Sequence, residues 1–172
     1  MKNLQGYFDT LLEETPSSFH RYMFNRIDWD NRLIGLVGPR GVGKTTLMLQ
    51  HAKEELPRHS TLFVTAEDMY FASNNLVELA ADFAKKGGRY LIIDEIQKAP
   101  ALLNAIKIVI DNDNSKGQYL LTGSANLQFA KTVKDSLAGR LGVVRLRPFS
   151  LGEINGADPT FLDSAFREDF KN

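Results

Sequence analysis

Residues 33–50 read LIGLVGPRGVGKTTLMLQ, and this stretch decides the fold. Leu33 to Gly38 is a continuous apolar run ending on glycine, as a strand buried on both faces requires. From about Gly43 to Leu56 the pattern turns helical, and Pro57 stops it. Between the two, Gly38 to Thr45 spell GPRGVGKT, a fit to G-x-x-x-x-G-K-[ST] in the strand–loop–helix context that this motif needs. Its glycines let the backbone turn tightly, so that successive N–H groups point inward as a nest for phosphate oxygens. The helix that starts there adds partial positive charge at its N-terminus. The expected phosphate-binding set is therefore Gly38, Pro39, Arg40, Gly41, Val42, Gly43, Lys44, Thr45 and Thr46. Lys44 is expected to reach the β- and γ-phosphates and the Thr45 hydroxyl to ligate Mg²⁺, with Thr46 a backbone or packing contact. A lysine aimed into an empty nest has no structural purpose, which weighs against a glycine-rich turn without a ligand.

Outward from the loop a rhythm of strands and helices continues. TLFVTA (61–66), RYLIID (89–94), QYLLTG (118–123) and GVVRLRP (142–148) read as further strands. NLVELAADFAKK (75–86) carries a helical apolar stripe, with Gly87 where a C-terminal cap belongs. PALLNAIKIVID opens with Pro100 at a first helical position, and ANLQFAKTVKDSLAG (125–139) reads as another helix ended by glycine. Alternating strands and helices imply right-handed crossovers and a parallel sheet covered on both faces, an α/β architecture. Before this core, residues 1–31 form an expected lead-in packed on it. Leu4, Phe8, Leu11 and Leu12 keep helical spacing ahead of Pro16. The core spans 32–150. After Pro148 the rhythm is lost, and 151–172 reads as a tail or the start of a further region.

Three downstream features bear on the loop's ligand. YLIIDEIQ (90–97) ends an apolar strand in Asp94 and Glu95, at the sheet edge where open α/β folds bind ligands. Asp94 suits Mg²⁺, directly or through a water. Glu95 stands to polarise the water that attacks a γ-phosphate. QYLLTGS ends in Thr122 and Ser124, which stand to sense the γ-phosphate or hold the attacking water; Ser124 is also a good helix N-cap. Arg140 follows a helix-ending glycine and is either a phosphate contact, for this subunit or a neighbour, or a surface arginine. Arg145 and Arg147 alternate on the last strand and are expected to face solvent or to be covered by a further domain.

The bulk composition narrows the class. The chain has 172 residues, 43% hydrophobic and 24% charged, enough to bury one core. Its 21 basic and 21 acidic residues cancel, so no global field draws nucleic acid or an anionic membrane. There is no cysteine, hence no disulfide framework or thiolate metal site. No apolar run reaches the ~18 residues of a membrane span, and the N-terminus lacks a signal-peptide core, so a cytoplasmic setting is expected.

GPRGVGKTTL, YLIIDEIQKAP, LLTGSAN and SLAGRLGVVRLRPFSLGEI together resemble a prokaryotic P-loop ATPase family of the AAA+ or STAND-like kind, AAA_14-type and related to archaeal ATPases. The resemblance covers roughly 20–155. It implies a three-layer P-loop NTPase core with a five-stranded parallel sheet of order 5-1-4-3-2. In that order the TGS strand lies between the strands ending in the P-loop (Walker A) and in Asp94-Glu95 (Walker B). It assigns Lys44 and Thr45 to nucleotide and Mg²⁺, Asp94 to Mg²⁺ and Glu95 to the catalytic base, and it favours Arg140 as phosphate-facing. Proteins of this kind are usually longer, continuing into a lid or winged-helix segment and a nuclease-like C-terminal domain. The chain, ending at Asn172, is therefore expected to be a truncated piece.

The expected function is Mg²⁺-dependent ATP binding and hydrolysis by a conformational motor or switch. The alternative is a nucleotide-binding switch with negligible turnover until a partner subunit or the missing C-terminal domain completes the site. A small-molecule kinase fits less well, because no arginine-rich lid lies between the strands. A GTPase fits less still, because no N-K-x-D follows an apolar strand. A homo-oligomer, nucleic acid or a protein target are the candidate partners, the last two unsupported by net charge.

Overall fold

The computed structural model describes residues 2–99, 101–112, 117–124 and 141–157. Five parallel strands form one sheet: β1 (Leu33–Gly38), β2 (Thr61–Thr65), β3 (Tyr90–Asp94), β4 (Gln118–Ser124) and β5 (Gly142–Arg145). Their order is β2-β3-β4-β1-β5, the expected 5-1-4-3-2 read from the other edge. The register sets Gly38 opposite Ser124 and Thr65 opposite Asp94, which aligns the strand ends that carry the candidate residues.

Alternation along each strand divides the core in two. Leu62, Val64, Leu91, Ile93, Tyr119 and Leu121 face one way, against α3 (Leu76–Lys85) and α4 (Ala101–Asn112). Ile34, Leu36, Phe63, Ile92 and Leu120 face the other, against α1 (Lys2–Glu14) and α2 (Lys44–Glu54). Every residue of β1 is buried, so its unbroken apolar run follows from having helices on both sides.

The lead-in belongs to the second face. Phe8 of α1 is fully buried and stacks on Phe63, with ring centroids 6.4 Å apart. Beyond α1 the chain is stitched to α2: the Gln50 amide donates to the carbonyls of Pro16 and Phe19 at 2.8 and 2.7 Å, and Lys53 to that of Thr15 at 2.6 Å.

Two boundaries differ from expectation. α2 ends at Glu54, two residues short of Leu56. β5 stops at Arg145, the last residue in register with β1, although the next residue, Leu146, still gives its N–H to the Val37 carbonyl. Arg145 and Arg147 are exposed, as expected. Past them, a short helix α5 (Leu151–Ile154) begins with a full capping box between Ser150 and Glu153. The expected helix over 125–139, Arg140, Pro100 and most of the tail, 158–172, lie outside the described residues.

Candidate functional site

The loop from Gly38 to Thr45 leaves β1 through a close approach. A Cβ on Gly38 would lie 2.3 Å from the Leu146 carbonyl oxygen, so only glycine fits there. Leu146 in turn donates its N–H to the Val37 carbonyl at 2.8 Å. Gly41 and Gly43 take φ of +80° and +90°, left-handed values open to glycine, and Gly43 leads directly into α2. The Val42 side chain is buried in the core, while Pro39, Arg40, Gly41 and Thr46 are exposed. Lys44 is buried, and its Nζ donates to the carbonyls of Gly38 and Pro39 at 3.0 and 2.9 Å. This corrects the expectation that the lysine has no structural role without phosphate. A desolvated ammonium must be hydrogen-bonded, and the loop's own carbonyls serve.

The ends of β3 and β4 build an acidic centre beside the loop. Asp94 is 8% exposed and accepts from two threonines: Thr45 Oγ1 donates to Oδ2 at 2.9 Å, and Thr122 Oγ1 donates to Oδ1. Burial raises the Asp94 pKa; the two threonine hydrogen bonds oppose this and the neighbouring Glu95 charge adds to it. Thr122, 1% exposed, also accepts the Glu95 N–H at 3.2 Å. Its side chain thus fixes Asp94 and the Glu95 backbone, while Ser124, half-buried at the same strand end, gives its N–H to Gln97. Glu95 itself is left-handed, with φ 53° and ψ 38°, a strained conformation for a residue with a Cβ.

Gln97 is a component that the sequence reading missed. Its Nε2 donates to Glu95 Oε2, and its Oε1 accepts the Ser124 N–H at 3.1 Å. One amide therefore ties the β3 carboxylate to the end of β4. Only its place two residues after Glu95, in a short 3₁₀ turn over Ile96–Lys98, hinted at this.

A buried cation joins the lead-in to the loop. Arg21 is 6% exposed and spreads its guanidinium over Glu153 (2.7 Å), the Val42 carbonyl (2.7 Å) and the Arg147 carbonyl (2.8 Å), with Phe149 packed on its face at 4.2 Å. Glu153 also accepts the N–H groups of Tyr22 and Ser150. Burial alone would raise the Glu153 pKa, but the Arg21 hydrogen bond, the two backbone donors and the Arg21 charge outweigh it and hold it at about 2. The sequence reading found no sharp motif at Arg21-Tyr22, because its partners are remote in the chain.

At the opposite end of the sheet, where the strands begin, a cleft of about 730 Å³ is lined by Phe24, Trp29, His51, Tyr90 and Gln118 among others. Trp29 stacks on His51 at 3.8 Å, 10° from parallel. Trp29 therefore sits at the far edge of the sheet from the phosphate loop.

The residues 30–155 match the model of the family AAA_14, described as an AAA domain. Uncharacterized proteins of Mycobacterium bovis and Mycobacterium tuberculosis are each 30% identical to the chain over 127 residues, 71% of this chain and 26% of theirs. The chain thus spans about a quarter of the length of the curated relatives it matches. Among solved structures, RIF2 of Saccharomyces cerevisiae is similar in fold, with a TM-score of 0.53 at 11% identity, over 89% of this chain and 67% of that one. PCH-2 of C. elegans aligns over 96% of this chain and 46% of its own, at 22% identity and a TM-score of 0.48.

Proposed function

The chain belongs to the AAA domain family AAA_14, and from that premise we propose that it binds ATP with Mg²⁺ and hydrolyses it, as a conformational motor or switch. The P-loop core and its nucleotide-binding, ATPase-like character go with the family; Mg²⁺, turnover and residue roles are the proposal. One observation carries it: the phosphate loop meets Asp94 through Thr45, with Thr122 and Glu95 locked beside them.

The donor chemistry fits Mg²⁺. Thr45 Oγ1 and Asp94 Oδ2 stand 2.9 Å apart, close to the ~2.9 Å between adjacent oxygens of an octahedron with ~2.05 Å bonds. Those two residues would hold the ion, Asp94 directly or through a water. Bound there, Mg²⁺ supplies charge neutralisation on the β- and γ-phosphates. On binding, Lys44 would exchange the Gly38 and Pro39 carbonyls for phosphate oxygens, and the loop N–H groups would hold the remaining charge. Glu95 would orient and deprotonate the attacking water, Ser124 would meet the γ-phosphate or that water, and Arg140 would stabilise the transferred charge.

Lys44→Ala is expected to abolish nucleotide binding, measured by titration with a fluorescent ATP analogue. Glu95→Gln is expected to keep binding and stop phosphate release. Hydrolysis by Glu95→Gln at the parent rate removes Glu95 as the base.

A second reading, a switch that turns over only when completed by a partner subunit or further domain, draws on two contacts. The Glu95 carboxylate is engaged by Gln97 and Lys44 by the loop carbonyls, so both key charges start internally paired. Phosphate release that rises steeply with protein concentration favours this reading; release per chain that is independent of concentration favours the first.

A further inference from the structure

The Arg21 cluster joins three segments that the proposed chemistry does not otherwise connect: the lead-in, the phosphate loop and the strap that follows β5. Arg21 Nη1 donates to the Val42 carbonyl inside the motif at 2.7 Å. Described peptide bonds are all trans, so across the Val42–Gly43 peptide the C=O and N–H point in opposite directions. A carbonyl held toward Arg21 therefore turns the Gly43 N–H away from it. The Val42 side chain is anchored in the core and the Gly43 carbonyl accepts the Leu47 N–H at 2.9 Å, so the peptide is held on both sides.

Arg21 is itself immobilised. Glu153 Oε1 receives its Nε at 2.7 Å and Oε2 its Nη2 at 3.2 Å, a two-point fork. Nη2 also donates to the Arg147 carbonyl at 2.8 Å. Glu153 is fixed in turn by the capping box of α5 and by the Tyr22 N–H. A lysine cannot replace this arginine, because a single ammonium cannot span Glu153, Val42 and Arg147 in one plane.

We propose that Arg21 is a positioning residue for the nucleotide loop, holding the Gly43 N–H toward the phosphate position, and that Glu153 couples the chain after β5 to that loop. Arg21 touches no reacting atom; it acts through the Val42–Gly43 peptide. Anything that moves the strap 147–153, whether a neighbouring subunit or a following segment, changes the loop's readiness for phosphate. The proposal rests on the loop binding ATP, as set out above.

The test uses the full chain in two parts. The first needs no nucleotide: amide hydrogen exchange over residues 39–46 in the parent, in Arg21→Lys and in the double variant Arg21→Met/Glu153→Leu. The double variant removes both charges together and leaves no buried ion unpaired, so it is expected to stay folded, which unchanged exchange in β1 and β4 checks. Exchange in the loop is expected to be faster in both variants while that of β1 and β4 is unchanged. Equal loop exchange in all three proteins overturns the proposal.

The second part titrates a fluorescent ATP analogue. Both variants are expected to bind about tenfold more weakly, the loss of a buried charge-assisted hydrogen bond. Glu153→Gln, which keeps the shape but not the fork's charge, is expected to lie between them and the parent. Parent-like affinity in the double variant overturns the positioning role, and parent-like affinity in Glu153→Gln overturns the coupling. If the parent itself binds no nucleotide, the ATP reading fails and the exchange data alone decide the role of Arg21.

Discussion

Gly38 shows how a residue of the motif also answers to packing. As the first glycine of the motif it was expected to bind phosphate, and it also admits the chain after β5, since an added Cβ would meet the Leu146 carbonyl at 2.3 Å. Gly38→Ala forces backbone apart from backbone and is expected to lower stability by about 1–3 kcal/mol, read from the urea unfolding midpoint. An unchanged midpoint would show that the contact relaxes at no cost. Asp94 and Glu95 were legible from an apolar strand ending in acids. Gln97 was not, because a glutamine two residues on signals nothing until the turn folds it back between Glu95 and Ser124. The hydrogen bond from Thr122 to Asp94 was not legible, since Asp94 comes from the neighbouring strand.

At the scale of elements, local signals were reliable where a backbone device ended the element. α3 stops in a Schellman arrangement: the Gly88 N–H donates to the Phe83 carbonyl at 2.9 Å and the Gly87 N–H to that of Ala84 at 3.0 Å. Gly87 has φ of +88°, as its position after the apolar stripe predicted. No atom would crowd a Cβ there, so Gly87→Ala isolates backbone strain and is expected to cost about 1–2 kcal/mol in thermal unfolding. A loss well below that would mean that the helix end rearranges. Where no such device exists the boundaries drifted. β5 was expected to run to Pro148 and stops at Arg145, where its register with β1 ends opposite Val37.

Over the whole molecule, buried titratable groups set the response to acid. His51 is 3% exposed and neither ring nitrogen has a hydrogen-bond partner among the described residues. Burial lowers its pKa from 6.5 to about 4, and the nearby Glu54 charge offsets only part of this. Glu55, Asp30 and Arg32 line the same cleft. Between those values the unfolded chain binds the extra proton, so stability rises with pH through that window and levels off above 6.5. The loss on acidification reaches about 3 kcal/mol at full shift. Glu153 acts at lower pH: its contribution is complete above 4.5 and is lost as pH falls toward 2. His51→Phe keeps a ring against Trp29 and removes the titration. Its unfolding free energy is expected to decline less from pH 6.5 to 4.5 than the parent's. An equally steep decline in the variant would assign the acid response elsewhere.

The amino-acid sequence by itself determined what is local or periodic. It carried the phosphate loop, the acidic strand end, the alternation of strands and helices, and through them the parallel sheet and its family. Those features depend on residues within a few positions of one another, or on a repeat whose period the backbone dictates. Tertiary structure alone decided which side chains meet. Arg21 finds Glu153 across 132 positions, Thr45 finds Asp94 across 49, and Trp29 covers His51. Contacts over such separations have no local signature, because the strand order and the path of the chain around the sheet set them.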